Sequence, residues 1–165
     1  MLFVDALLPE FDREMTTTRT LLERVPDDAF DWKPHDKSMS LGQLASHVAN
    51  LPRWGLITIN EAQFDLATDT GNVAATSRAE LLARFDALTG ETRQALVGRT
   101  DAEMLAPWTL KRGGETIFTS PKAMVWRSFV LNHLVHHRGQ LSVYLRLRDV
   151  PVPSIYGPSA DERPF

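Results

Sequence analysis

The chain of 165 residues is 43% hydrophobic and 24% charged, which is typical of a soluble globular protein and excludes a disordered one. Its formal net charge of -3 at pH 7 provides no excess of lysine and arginine to neutralise phosphates, so nucleic acid is not an expected partner. The absence of cysteine excludes disulfides, thiolate metal sites and a cysteine nucleophile. A transition metal would therefore have to be held by histidines and carboxylates.

The length predicts one domain over residues 1–165, ending in a proline-rich tail from about residue 150. The first 14 residues lack the basic region and the long apolar run of a signal peptide, and they resemble a helix. No window supplies the roughly 18 apolar residues that a membrane span needs. We therefore expect a cytoplasmic protein without a membrane partner.

Apolar residues at helical spacing predict a first helix from Leu2 to about Val25. A second helix is predicted to begin after Ser40, because its hydroxyl can cap the helix while Gln43 returns to the cap residue in a capping box. Pro52 must kink or stop this helix, since it has no N–H for the carbonyl four residues earlier. The apolar pattern continues beyond it, which favours a kink.

After a polar linker at residues 68–77, a third helix is predicted from a Ser77 cap to Gly98, with Glu80 at the capping-box position. Two short β-prone segments then flank the sequence RGG at residues 112–114. This pattern predicts a small hairpin or an extended excursion before the last helix.

The last helix is predicted from Ser120, as its cap, and Pro121, at the first helical position, to about Arg148. Four helices of roughly 20 residues with one longer connection predict an all-α fold, a four-helix bundle. Bundles place metal and cofactor sites between facing helices, so polar residues on inward faces become the candidate site.

Three of the five histidines fall within five positions of the last predicted helix. His133 and His137 project from the same face, because residues four apart on an α-helix are neighbours, whereas His136 points to one side. Projection at about 100° per residue places this pair in the apolar arc of the helix, and places His47 in the apolar arc of the second helix. Buried imidazoles need partners for their nitrogens, and one metal ion would serve all three.

A histidine pair spaced in this way is by itself more typical of core residues that hydrogen-bond to the backbone or to carboxylates. The third inward histidine, on a separate helix, favours a shared metal ion. No glutamate follows His133, so the segment is not an H-E-x-x-H motif and lacks that motif's general base. His35 lies in a connector beside Pro34, where a loop or surface role is expected.

The opposite face of the last helix combines charged and apolar residues. Three arginines fall well away from the apolar arc and are expected to face solvent: Arg127, Arg138 and Arg146. Three apolar residues make this face more apolar than solvent contact requires: Met124, Leu131 and Val135. The face is therefore expected either to form a homodimer interface or to be covered by another segment of the same chain.

Three sequence segments in this order, SLGQLASHV at 40–48, NHLVHHRGQL at 132–141 and YLRL at 144–147, resemble the DinB-like superfamily, also called the damage-inducible or YfiT-like metal-dependent hydrolases. The resemblance covers nearly the whole chain. It implies an up-down-down-up four-helix bundle in which His47, His133 and His137 bind a divalent metal, commonly zinc or nickel. Some members of that superfamily are thiol transferases or isomerases that use low-molecular-weight thiols such as bacillithiol or mycothiol.

Three imidazoles would leave a coordination position open, as catalytic metal sites do. The ion could lower the pKa of a bound water or hold a substrate thiol as its thiolate. The two histidine-bearing segments contain no carboxylate to serve as general base, so thiol transfer to a small-molecule substrate is preferred to hydrolysis. A stress-related binding or structural bundle, in which a fourth protein ligand closes a structural metal site, is a further alternative.

Four additional residues are candidates for lining the pocket or for hydrogen-bonding a ligand histidine, although packing is the more common role for such residues. They are Trp54, Asn132, His136 and Gln140.

Overall fold

The structure is a computed structural model that describes residues 3–71 and 73–163. The predicted helix start at Leu2 and the end of the predicted tail, residues 164–165, lie outside the described residues. The α-helices are α1 (Phe3–Leu22), α2 (Leu41–Asn60), α3 (Arg78–Leu96), α4 (Asp101–Leu105), α5 (Lys122–Val125) and α6 (His133–Leu147). Within the described residues, no helix combines the length and the apolar character needed to cross a bilayer.

The predicted start of α2 is confirmed. Ser40 Oγ accepts a hydrogen bond from the Gln43 N–H, and Gln43 Oε1 accepts one from the Ser40 N–H, which completes the capping box. The helix continues through Pro52 to Asn60. Ser77 likewise caps α3, but the carboxylate of Glu80 bonds to Thr76 instead of returning to the cap.

The prediction of an all-α fold was wrong, because the chain also contains a three-stranded mixed sheet, which makes it an α/β structure. The strands are β1 (Gln63–Asp65), β2 (Pro107–Arg112) and β3 (Glu115–Pro121). Strand β2 lies in the middle, parallel to β1 and antiparallel to β3. The predicted hairpin is confirmed as the β2–β3 pair.

Strand β1 depends on contacts that are distant in sequence. Its residue Asp65 accepts backbone hydrogen bonds from Gly113 and Gly114, which form the turn of the hairpin. Both glycines have positive φ, at 60° and 83°, a conformation that other residues rarely adopt. The three residues of β1 are too few to show an alternating pattern, so only the folded hairpin defines this strand.

The last helix differs from its prediction in two ways. Ser120 and Pro121 end strand β3, opposite Trp108 and Pro107, and Pro121 rather than Ser120 is the cap residue, so the helix begins one residue later than predicted, at Lys122. Between α5 and α6 the segment Trp126–Asn132 is a π-helix. Its hydrogen bonds span five residues, so a projection at 100° per residue fails across it. The histidine pair lies beyond this segment, in regular α-helix.

The long helices pack side by side around one core. Helix α2 contacts α3 on one side and α6 with the π-helical segment on the other, while α1 contacts α3 and α6. Fully buried side chains from all of these helices fill the centre, including Phe11, Leu44, Phe85 and Leu141. This arrangement places α2 beside α6, so side chains of the two helices can meet.

The prediction that Arg138 faces solvent was wrong, whereas Arg127 and Arg146 are exposed. Only 1% of Arg138 is exposed. Its Nη2 lies 2.6 Å from Glu14 Oε2 on α1 and 2.6 Å from the hydroxyl of Tyr156 in the C-terminal tail. The last helix is therefore buried on two faces, one toward α2 and one toward α1 and the tail.

The apolar residues of this second face have different environments. Leu131 is buried, Val135 is half-buried and Met124 is exposed. The fold itself thus covers Leu131 and Arg138, while Met124 stays exposed. The homodimer expected from this face stays a prediction.

Candidate metal centre

Three histidine side chains from two neighbouring helices meet at one point. His133 Nε2 lies 3.3 Å from His47 Nε2 and 2.8 Å from His137 Nε2. One ligand atom from each residue falls within 4.8 Å of the others, and all three side chains are half-buried. The convergence of imidazoles from the second and last helices, predicted from their projections, is thus present in the structure.

Hydrogen bonds on the far side of two rings orient their free nitrogens. His137 Nδ1 lies 2.7 Å from Gln140 Oε1, and because an amide oxygen can only accept, the ring donates its proton there. The His133 ring bonds to the backbone of Phe129. With His137 Nδ1 donating to Gln140, the His137 Nε2 lone pair is directed at His133 Nε2 across 2.8 Å, a contact that a shared metal ion or a proton on His133 would satisfy.

The spacing of the nitrogens suits one metal ion. Nitrogens bound to a single ion at about 2.0–2.1 Å lie about 2.9–3.4 Å apart for octahedral or tetrahedral angles. The separations of 2.8 and 3.3 Å fall close to that range. The three histidines could therefore hold a divalent metal.

Burial keeps these imidazoles in the neutral form that binds metals. It is the largest cause that lowers the pKa of His47 to about 4, and the charges of His137 and His133 add to it. Burial also lowers the pKa of His133 and of His137, against the opposing hydrogen bonds to Phe129 and Gln140. The lowered pKa values favour neutral rings at neutral pH, each with one N–H and one nitrogen available to a metal.

Comparisons with known proteins show which family the chain belongs to. The model of the DinB family matches residues 1–163. The chain belongs to the DinB family. It is 26% identical over 162 residues to the uncharacterized protein YrdA of Bacillus subtilis (strain 168), covering 96% of this chain and 91% of that protein.

Two crystal structures share the fold of this DinB family member. One is a DinB-like protein from Bacillus cereus ATCC 10987, with a TM-score of 0.71 and 20% identity, covering 92% of this chain and 97% of that one. The other is a DinB-like protein from Bacillus subtilis, also with a TM-score of 0.71 and 20% identity, covering 91% of this chain and 96% of that one. The family predicted from the histidine-bearing segments is confirmed.

The four additional candidates have different positions. Gln140 hydrogen-bonds a histidine of the cluster, and Trp54 lines a cavity together with His47. The ring of His136 is exposed and lies 4.7 Å from that of His137, measured between centroids, without joining the cluster. Asn132 is exposed on the π-helical segment.

His35 occupies the loop position expected for it. Its side chain is exposed, and its Nδ1 accepts a hydrogen bond from the backbone N–H of Lys37. It takes no part in the histidine cluster.

Two polar residues near the candidate metal centre were not predicted from the sequence. Asn50 and Asp69 line the same cavity as His47. Asp69 belongs to the predicted polar linker, where it pairs with Arg53 on α2 at 2.9 Å and accepts a hydrogen bond from Gly71. An aspartate two residues before a glycine indicates a turn, but nothing in the sequence indicates that the turn packs beside α2.

We expect Gln140→Leu to weaken zinc binding by about 10–100-fold while leaving the fold intact. The substitution removes the acceptor that holds the His137 ring in the tautomer with a free Nε2. Competition with a chromophoric chelator measures the affinity. Gln94→Leu, at an exposed position of α3, is the matched control and should bind zinc as the unmodified protein does. Equal zinc affinities of the two variants would contradict a role for Gln140 in orienting the His137 ring.

Proposed function

We propose that this protein is a metal-dependent enzyme in which His47, His133 and His137 hold one divalent ion, zinc or nickel. Its reaction is the transfer of a low-molecular-weight thiol to a small electrophile, as an S-transferase or an isomerase. The observation that carries the proposal is the pair of Nε2 atoms 2.8 Å apart, with His137 Nδ1 bonded to Gln140. Neutral imidazoles are suitable ligands for both metals.

The number of ligands supports a catalytic rather than a structural ion. Within the described ranges, 3–71 and 73–163, the cluster contains three histidines and no fourth histidine or carboxylate. A closed structural site would use four protein ligands, whereas three leave room for a substrate.

Two cavities adjoin His47 and suit a reaction between two small molecules. The larger, of about 310 Å³, is also lined by Met39, Gln43, Ser46 and Ala74. The smaller, of about 180 Å³, is also lined by Asn50, Leu51, Trp54, Leu66 and Asp69. A molecule in either cavity would lie beside the histidine cluster, which can hold two reactants close together.

The ion, when bound, would supply a Lewis acid that lowers the pKa of a thiol toward neutrality. The chain's own residues fix the arrangement around it. Gln140 and the backbone of Phe129 hold two rings in orientation. Trp54, which lines the smaller cavity, stacks on Phe129 with ring centroids 6.3 Å apart, and this contact holds its ring in place.

Metal-dependent hydrolysis is the second candidate, and one observation favours it. Asp69 lines the smaller cavity with His47, so a carboxylate is available that the histidine-bearing segments do not contain. Arg53 and Gly71 both engage its Oδ1, which leaves Oδ2 to accept a proton. Thiol transfer stays first because a thiol held by the ion needs less help from a base than water does.

The proposal predicts metal-dependent consumption of a thiol. Protein loaded with zinc or nickel is incubated with 1-chloro-2,4-dinitrobenzene together with one thiol at a time: bacillithiol, mycothiol, glutathione or cysteine. Thioether formation is followed by absorbance. We expect one thiol to react faster than in the absence of protein, and the increase to vanish for metal-free protein and for His133→Ala. A panel in which the loaded protein accelerates no thiol would contradict thiol transfer.

A further inference from the structure

The smaller cavity beside His47, hereafter the Trp54 cavity, has a volume of about 180 Å³. An apolar cavity of about 150 Å³ holds a benzene molecule, so this one has room for about one six-membered ring with a small substituent. The cavity belongs to the space around the histidine cluster, and its lining restricts which molecules can enter it.

Part of its wall is apolar, formed by Leu51, Trp54 and Leu66. Leu51 is only 1% exposed, and Trp54 is half-buried. The Trp54 ring stacks on Phe129 with an interplanar angle of 20° and meets Phe64 edge-on at 5.6 Å between centroids. Because two other rings fix its position, Trp54 presents a wall against which a flat ring can pack.

The polar side chains of the Trp54 cavity include a carboxylate with an oxygen open to a ligand. Both contacts of Asp69, with Arg53 Nη2 and with the Gly71 N–H, go to Oδ1 at 2.9 Å, and within the described part of the chain Oδ2 has no hydrogen-bond partner. Asn50 donates from Nδ2 to the Gly71 carbonyl at 3.1 Å, which leaves its Oδ1 as an acceptor. Asp69 Oδ2 and Asn50 Oδ1 are thus acceptors open to a ligand, and the second Asn50 N–H is a donor beside them.

We propose that the Trp54 cavity binds an aromatic ring that carries an N–H donor, an ammonium or an amide, with the donor directed to Asp69 and Asn50. Hydrogen bonds to a carboxylate are the stronger kind. An anionic group in the same place would face the Asp69 carboxylate, and the one remaining Asn50 N–H would offset only part of its lost hydration. The inference rests on the proposed function only in making the bound molecule the electrophilic substrate.

Benzylamine, benzyl alcohol and benzoate, similar in size and different in their polar group, test the ligand class. Each is titrated into metal-free and zinc-loaded protein, and binding is followed by tryptophan fluorescence and by the midpoint of thermal unfolding. We expect benzylamine to bind at least about tenfold more tightly than benzoate, since one charge-assisted hydrogen bond exceeds the 1.4 kcal/mol that a factor of ten represents. Equal affinities for the two would overturn the proposal.

Variants locate the binding. Asp69→Asn should weaken benzylamine about tenfold and change benzyl alcohol little. Leu66→Trp, which fills the cavity, should abolish binding of both. The control Asp86→Asn removes another aspartate that pairs with an arginine, Arg19 on α1, and should change neither. If Asp69→Asn does not fold, Leu66→Trp tests the location of binding by itself. Unaltered benzylamine binding by Leu66→Trp would exclude the Trp54 cavity as the binding site.

The same samples separate this inference from the proposed function. Metal content is measured on each preparation alongside ligand binding. Loss of the benzylamine preference in protein that retains zinc would overturn the cavity assignment alone. Selective benzylamine binding by protein that takes up no zinc would support the cavity and contradict the metal centre.

Discussion

The substitution His133→Ala should reduce the zinc retained after dialysis from one equivalent to less than about a tenth, because loss of a ligand exceeds the 10–100-fold cost of losing a ligand's hydrogen-bond partner. His133 is the central member of the cluster, with its Nε2 within 3.3 Å of His47 Nε2 and 2.8 Å of His137 Nε2. Without it the remaining two imidazoles cannot complete a three-ligand site. Metal analysis of dialysed protein measures the effect, and far-ultraviolet circular dichroism verifies that the helices persist.

The matched control is His136→Ala on the same helix. His136 is exposed and lies outside the cluster, so this variant should keep its full equivalent of zinc. Zinc retained by His133→Ala, or lost equally from both variants, would show that the metal is held elsewhere.

The substitution Glu14→Gln should lower the free energy of unfolding by about 3–5 kcal/mol, the cost of leaving one member of a buried ion pair without its partner. The side chains of Arg138 and Glu14 are 1% and 5% exposed, with Nη2 and Oε2 2.6 Å apart. Tyr156 donates its hydroxyl proton to the same carboxylate at 2.8 Å. Neutralising Glu14 therefore leaves the guanidinium buried without a counter-charge.

Its control is Glu10→Gln, one turn earlier on α1. Glu10 pairs with Arg127 of the same last helical segment, but the two side chains are 29% and 44% exposed. Exposed pairs contribute about 0–1 kcal/mol, so this variant should lose little stability. Denaturant unfolding followed by circular dichroism gives both values. A similar loss for both variants would contradict the structural role assigned to Arg138.

Much of the histidine cluster could be predicted because its determinants are local. The i, i+4 spacing of His133 and His137 fixes a shared helix face whatever the rest of the chain does. The capping box at Ser40 fixes the start of α2 and thereby the face on which His47 lies. Both patterns are complete within a few residues, and the fold preserves them.

The errors arose where distant segments meet. Strand β1 forms because Asp65 bonds the hairpin turn 48 and 49 residues later, a contact that leaves no periodic signal in three residues. Asp69 lies in the same cavity as His47 and pairs with Arg53 on α2. The sequence of the polar linker does not indicate this pairing.

Arg138 shows a different limit. A projection assigns one apolar arc to a helix and treats the opposite side as solvated. In the last helix the second side is also buried, against α1 and the tail, and it can hold an arginine because Glu14, Thr18 and Tyr156 supply acceptors. The sequence of the helix alone contains none of these partners, so the burial of this charge could not be predicted from it.

X-ray absorption at the zinc edge of zinc-loaded protein tests the central claim most directly. The account predicts one ion per chain with three imidazole nitrogens at about 2.0–2.1 Å and at least one further light-atom ligand from solvent or substrate. A spectrum with fewer than three imidazoles, or protein that takes up no stoichiometric zinc, would contradict a shared metal centre at His47, His133 and His137.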